Sequence, residues 1–182
     1  MNPFRRWTVR LLMALVVLIP LAATALYLIN PLGVRSYDPR QRILGHGPYR
    51  VPANDMAPSL VPDQIVLVRA GDYRKQKLQR GDIVVFVSPV DGNMWIKRVV
   101  GLPGERISID AGVLLIDDRE RVEDYVAAGN AARGYSRQMH ELTVPEASYF
   151  LLGDNRDNSH DGRLMGATPR EDITGRIVAI LK

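Results

Sequence analysis

Two patterns of hydrophobic and polar residues divide this chain. The first is an uncharged run of 19 residues at 11–29, which as a helix would extend about 28 Å, close to the thickness of the hydrocarbon core of a bilayer. In the second pattern, short β-branched and apolar runs alternate with turns rich in Gly, Pro and Asp, which is typical of strands. These runs lie at 65–68, 82–87, 95–100, 107–109, 113–116, 149–152 and 176–181. The sequence therefore predicts a mainly β domain, a barrel or sandwich, behind one N-terminal transmembrane helix.

The same patterns set the predicted boundaries. The predicted segments are a short cytoplasmic N-terminus at 1–10, the transmembrane helix at 11–29, an irregular linker at 30–49 and the β domain at 50–182. Residues 117–145 break the strand pattern and are predicted to be a small inserted excursion, with a short helix around 119–128. The dipeptide Asp91-Gly92 predicts a hairpin that pairs residues 82–88 with 94–100.

The flanks of the apolar run predict the membrane topology. Arg5, Arg6 and Arg10 precede it, which places the N-terminus in the cytoplasm and the β domain on the extracytoplasmic or periplasmic side of the cytoplasmic (inner) membrane, as a single-pass protein. The alternative is a cleaved secretory signal, because residues 23–25 form a small-x-small site. The length of the run exceeds that of a signal-peptide core and favours a retained anchor.

Charge and cysteine content exclude some functions. Three of the 24 basic residues precede the apolar run, which leaves 21 against 20 acidic residues in the rest of the chain. The β domain is thus nearly neutral, and we expect no nucleic-acid partner. There is no cysteine, which excludes disulfides and thiolate metal sites.

The predicted strand MWIKRVVG contains a candidate catalytic lysine. Alternation places Lys97 on the same face as Trp95 and Val99. If that face is buried, desolvation favours the neutral amine, which can act as a general base. For an isolated strand lysine, the commoner alternative is a side chain that reaches the surface at a sheet edge.

The stretch GDNRDNSHDGR concentrates polar groups directly after an apolar strand. Asp157, Ser159, Asp161 and Gly162 match the opening spacing of an EF-hand calcium loop. The twelfth position is Thr168 instead of a bidentate Glu, and the flanks look like strand and loop, so no metal site is predicted. Two alternatives stay open: a simple Asx-rich turn, and a hydroxyl on Ser159 that supports a base elsewhere.

Taken in order, the motifs resemble those of a known family. An anchor is followed by a VPxxxMxPSL segment, RGDIVVF, IKRVVGLPGE and GDNRDNSHDGR, an order that resembles the type I signal peptidases over residues 51–177, apart from the excursion. The resemblance implies a membrane-anchored β-fold protease outside the cytoplasmic membrane. Such a protease removes the signal peptides of exported pre-proteins after Ala-x-Ala, with a serine nucleophile, a neutral lysine base and no cofactor.

The resemblance also assigns roles to residues. Lys97 matches the general base, Ser159 the hydroxyl that orients this lysine, and Asp161 with Arg163 a supporting ion pair. The positions that the resemblance places at the bound peptide or next to the nucleophile are Pro52, Ala53, Met56, Trp95 and Ile96.

The position of the nucleophilic serine is occupied by Asp55. Ser59 is the nearest hydroxyl downstream, but it matches the structural Thr or Ser of the family's turn. A carboxylate beside Lys97 would keep the amine charged, and its attack on a peptide would form an anhydride. Two hypotheses stay open: a signal peptidase with a natural or engineered change at the nucleophile of its Ser/Lys dyad, and a catalytically inactive relative that acts as a peptide-binding or assembly factor for exported proteins.

Overall fold

The N-terminal apolar run forms one long helix. The computed structural model describes residues 3–182, and helix α1 spans Pro3–Ile29. It is the one helix in this part of the chain that is long and apolar enough to cross a membrane, and its hydrophobic side chains face outward. It begins before the predicted span because Pro at the first helical position is preorganised for a helix, and the arginines that follow are good helix formers.

The prediction of an irregular linker at residues 30–49 is wrong in its second half. Helix α2 spans Pro39–Leu44 and strand β1 spans His46–Arg50. The Asp38 side chain accepts a hydrogen bond from the backbone N–H of Arg40 and caps α2, which Gly45 ends at a φ of 73°. A six-residue helix is too short to show a periodic pattern in the sequence, which is why it was missed.

All strands pair antiparallel in two sheets. The remaining strands are β2 Ile65–Ala70, β3 Ile83–Val87, β4 Met94–Gly101, β5 Arg106–Asp110, β6 Val113–Ile116, β7 Arg119–Arg121, β8 Met139–Thr143, β9 Ser148–Leu152, β10 Thr168–Pro169 and β11 Ile173–Ile180. The larger sheet has the order β1-β2-β11-β3-β4-β9-β10, and the smaller has the order β7-β6-β5-β8. The mainly β fold and all seven predicted strands are confirmed. The predicted hairpin is confirmed as well, with Val87 opposite Met94.

The excursion differs from its prediction. Instead of a helix around residues 119–128, strand β7 pairs with β6, so that Leu115 lies opposite Glu120. Asp117 and Asp118 form the turn with φ values of 50° and 63°, the conformation that two-residue hairpins require. A short helix in this polar stretch would have lacked tertiary contacts, whereas β7 extends a sheet that already exists. Later in the excursion, helix α3 at Gly134–Arg137 precedes β8.

Buried side chains fix the segment that carries Asp55. Met56 and Leu60 pack with Val66, Val85 and Ile96 in one core cluster between this segment and the larger sheet. These contacts hold the loop before β2 against strand β4.

Candidate active site

A pocket opens where strand β4 passes the loop before β2. Its volume is about 580 Å³, within the range of small-molecule and peptide sites. Its lining residues are Tyr49, Pro52, Ala53, Asp55, Asp91, Asn93, Met94, Trp95, Ile96, Lys97 and His160. The structure thus brings together Asp55, Lys97 and four of the five residues that were predicted to lie at the peptide.

Met56 does not line this pocket. Its side chain is fully buried in the core cluster beneath the loop. Its contribution is to anchor the loop, because it fixes the backbone of the neighbouring Asp55 from below.

Lys97 lies at the floor of the pocket, with 1% of the residue exposed. The alternative in which its side chain reaches the surface is therefore wrong, because the side chain is buried at the pocket floor. Its Nζ donates hydrogen bonds to the Asp55 carboxylate and to the Ile96 carbonyl, the latter at 3.2 Å. The same nitrogen lies 5.3 Å from the centre of the Trp95 ring.

The Asp55 backbone is held as firmly as its side chain. Its carbonyl accepts a hydrogen bond of 3.0 Å from the N–H of Asn155, and the Asn155 side chain donates to the carbonyl of Asn54 at 2.9 Å. Its carboxylate lies beside Lys97, with 20% of the side chain exposed. A buried ammonium needs such a partner, because an uncompensated buried charge is strongly destabilising.

Asp161 and Arg163 form a bidentate ion pair next to this centre. Two guanidinium nitrogens, Nε and Nη2, each lie 2.8 Å from an Asp161 carboxylate oxygen. Asp161 also accepts a hydrogen bond from the N–H of Gly153 and caps helix α4, which spans Gly162–Met165. The pair therefore ties α4 to the loop that follows β9.

Comparisons with known proteins identify the family of this chain. The family model for signal peptidase, peptidase S26, matches residues 5–182. The chain belongs to this signal peptidase family.

Its relatives include several bacterial signal peptidases. A signal peptidase I from Leptolyngbya laminosa is 32% identical over 81% of this chain and 70% of its own length. Signal peptidase I U from Bacillus subtilis is 31% identical, with 74% of each chain covered. A probable signal peptidase I-2 from Synechocystis is 33% identical over 69% of this chain, and the match spans 58% of that relative's length.

Ser159 does not contact the lysine that this family resemblance predicts it to orient. Its hydroxyl is buried and has no hydrogen-bond partner within residues 3–182. The Ser159 hydroxyl and the Asp55 carbonyl both lie against Gly153, so closely that a Cβ at that position would overlap them. Ser159 is therefore a neighbour of Asp55.

Sequence reasoning missed a buried ion pair on the opposite face of β4. Arg98 donates to both carboxylate oxygens of Asp154, at 2.8 and 2.6 Å, and Asp154 is fully buried. The same guanidinium donates to the Ser59 hydroxyl at 3.1 Å and lies 4.1 Å from the Tyr125 ring centre. Ser59 thus has a structural contact. The sequence signal for the Arg98–Asp154 pair was that strand β4 carries a charged residue on each of its faces.

His160 was also missed. Its ring meets the Trp95 ring edge-on, with 5.5 Å between centroids, and it lines the pocket. Its place between Ser159 and Asp161 in the sequence was the signal that could have indicated it.

Asp157 fastens the excursion to the site loop. Its carboxylate accepts hydrogen bonds from the N–H groups of Ala131, Ala132 and Arg133, at 3.0 to 3.2 Å, and from the Ser136 hydroxyl. Burial by itself would raise the pKa of Asp157, but these hydrogen bonds outweigh it and lower the pKa to about 2.

We expect Asp157 to stabilise the fold at neutral pH and not in strong acid. Its folded-state pKa of about 2 lies below the ordinary value of 3.8, so its contribution is complete above the ordinary value and is lost as the pH falls toward 2. Asp157→Ala should lower the free energy of unfolding by about 1–3 kcal/mol at pH 7. Urea unfolding at pH 7 and pH 2 measures this difference, with Asp63→Ala, an acid whose side chain is 82% exposed, as the control. An equal loss for Asp157→Ala at both values of pH would contradict the expectation.

Proposed function

We propose that this chain receives the signal peptides of exported pre-proteins in the pocket beside Lys97, and that the ion pair with Asp55 prevents cleavage by the serine and lysine chemistry of the family. The observation on which this proposal rests is the contact of Asp55 with Lys97 at the floor of the pocket. Family membership supports the substrate class, since the matched relatives are signal peptidases by name.

Strand pairing supports an extended mode of peptide binding. Strand β9 pairs with β4 only from Arg98 onward, whereas β3 pairs with β4 from Met94. On the side away from β3, the β4 residues that line the pocket therefore have no strand partner within residues 3–182. An extended peptide between this edge and Pro52 could add a strand, with main-chain hydrogen bonds for affinity.

The pocket walls favour small residues in that peptide. Trp95 is held in place on two sides, because its ring meets Phe86 edge-on at 6.4 Å and its Nε1 donates to Asp91 at 3.3 Å. With Ala53 and Ile96 it forms a largely apolar wall. A fixed wall of this kind suits the small side chains of Ala-x-Ala better than bulky ones.

The ion pair explains why such a peptide would stay intact. Serine chemistry requires a hydroxyl nucleophile and a neutral amine that accepts its proton. Asp55 has no hydroxyl, and its carboxylate holds the Lys97 Nζ in a hydrogen bond, so that this nitrogen is not available to accept a proton. Attack by the carboxylate itself would give an anhydride and expel an amine, which is an unfavourable exchange.

We expect the unaltered protein to capture a signal peptide without cutting it. A photo-crosslinking amino acid at Ala53 or at Trp95 should capture a peptide ending in Ala-x-Ala several-fold more than a scrambled peptide. The control position is Val122, which is 88% exposed and lies outside the pocket. Equal capture of the two peptides at Ala53 and Trp95 would contradict peptide binding at this site.

The membrane placement is also part of the proposal. Residues 1–10 would be cytoplasmic, 11–29 would cross the inner membrane, and the β domain would lie on the extracytoplasmic side. The apolar surface of α1 supports this arrangement.

Protease added to intact spheroplasts should digest the chain beyond residue 34. Protection of the domain would contradict this topology, and a mature N-terminus near Leu26 would show that α1 is a cleaved signal.

A further inference from the structure

A guanidinium lies against two tyrosine rings where the anchor meets the β domain. The Arg42 carbon Cζ is 4.8 Å from the ring centre of Tyr27 and 5.1 Å from that of Tyr37. Tyr27 belongs to α1, Tyr37 to the segment after it, and Arg42 to α2. This stack of Arg42 on the two rings therefore joins three consecutive parts of the chain, with cation–π attraction to each ring.

Hydrogen bonds hold this stack in one orientation. The Arg42 Nε donates to the carbonyl of Ser36 at 2.8 Å, and Ser36 is buried. The Tyr27 hydroxyl donates to the carbonyl of Tyr37 at 3.3 Å. One edge of the guanidinium is thus fixed, whereas its terminal nitrogens Nη1 and Nη2 have no hydrogen-bond partner within the described residues.

Neighbouring arginines differ from Arg42 in this respect. Arg35 pairs with Asp172 at 3.2 Å, and Arg40 forms a bidentate pair with Asp38, with 2.8 Å between Nη2 and the nearer oxygen. No carboxylate lies within salt-bridge distance of Arg42 in the part of the chain that the structure describes. A positive charge that is oriented by its surroundings and has no acidic partner is suited to an external anion.

The end of the anchor indicates which anion is available. Tyr27 lies in the last turn of α1, which ends at Ile29, and tyrosines at helix ends of this kind lie at the level of the lipid headgroups. Arg42 touches this ring and so lies at the same depth. Its planar fork matches the oxygens of a phosphate better than a lysine would.

We propose that Arg42 binds the phosphate of an anionic phospholipid headgroup at the extracytoplasmic surface. The inference rests on the membrane insertion of α1 that is part of the proposed function. A lipid bound there would contact both α1 and α2 through the stack, and would hold the β domain at a fixed height above the membrane.

Native mass spectrometry of the full chain in detergent tests this site. The probes are phosphatidylglycerol, diacylglycerol, which lacks the phosphate, and inorganic phosphate. We expect the unaltered protein to retain phosphatidylglycerol, and Arg42→Gln to bind it at least about tenfold more weakly, since it loses a charge-assisted hydrogen bond to the phosphate. Arg40→Gln removes the same charge from a paired neighbour and should bind like the unaltered protein. Arg42→Lys keeps the charge without the fork and should be intermediate.

Three outcomes would overturn the proposal. Equal lipid retention by Arg42→Gln and Arg40→Gln would show that only general charge matters. Diacylglycerol or inorganic phosphate bound as tightly as phosphatidylglycerol would exclude a lipid phosphate as the ligand.

Flotation with phosphatidylglycerol vesicles separates this proposal from the proposed function. An unaltered protein that does not float contradicts the membrane placement and this site together. A protein that floats but shows no Arg42-dependent lipid binding contradicts this site alone.

Discussion

Asp55→Ser is expected to convert the protein into a peptidase that cuts after Ala-x-Ala. The substitution removes the carboxylate that contacts Lys97 and places a hydroxyl on the same Cβ, within the pocket. Lys97 stays buried in the pocket floor and its amine loses the hydrogen bond to the carboxylate, which leaves the nitrogen available to the new hydroxyl as a general base. We expect cleavage to rise about a hundredfold or more above the unaltered protein, the range that a positioned general base contributes.

Proteolysis of a pre-protein in detergent measures this gain. The matched control is the double variant Asp55→Ser/Lys97→Ala, which has the hydroxyl but no base and should stay inactive. Cleavage by the single variant alone supports a site that one residue disables. Equal cleavage by the single and double variants would contradict the role of Lys97.

Asp154→Ala is expected to have the largest effect on stability. Asp154 is fully buried and accepts two hydrogen bonds from Arg98, whose side chain is 11% exposed. The substitution leaves the guanidinium without its carboxylate, and breaking a buried pair in this way costs about 3–5 kcal/mol. Asp63→Ala breaks the exposed pair with Arg50, which should cost about 0–1 kcal/mol, and places alanine at a φ of 68°, which adds up to about 1 kcal/mol.

Urea unfolding of the full chain in detergent compares the two variants. In a Trp7→Phe background, which removes the second tryptophan in α1, the fluorescence of Trp95 reports on the pocket strand, so that loss of the site and loss of the fold can be followed together. Similar free energies of unfolding for Asp154→Ala and Asp63→Ala would contradict the structural role of the buried pair.

Strands were predictable from the sequence because their side chains alternate or form β-branched runs. The runs that became β3 and β4 also had the turn signal Asp91-Gly92 between them, and their pairing followed. Strands β1 and β7 were not predicted because they contain arginine, histidine and glycine instead of apolar side chains. They form because neighbouring strands offer free edges, which is information that local sequence does not contain.

Long-range contacts limited the prediction of the site in the same way. The motif order indicated the family and placed Asp55 near Lys97, although they are 42 positions apart. The pairing of Arg98 with Asp154 joins residues 56 positions apart, and although a charged residue on each face of β4 was a signal, no local pattern indicated the partner of Arg98. Met56 was assigned to the peptide site because it follows Asp55, but adjacent residues in a tight loop point in different directions, and this side chain entered the core.

Cleavage of a labelled pre-protein by the unaltered protein and by Asp55→Ala, with product followed over many hours, is the most direct test of whether the site is inactive. If Asp55 replaces the nucleophile and takes no part in the chemistry, neither protein should release a signal peptide, because neither has a hydroxyl opposite Lys97. Cleavage by the unaltered protein that Asp55→Ala abolishes would show that the carboxylate takes part in the chemistry. Cleavage that survives Asp55→Ala would contradict the ion-pair explanation and indicate another hydroxyl, with Ser59 the first to replace.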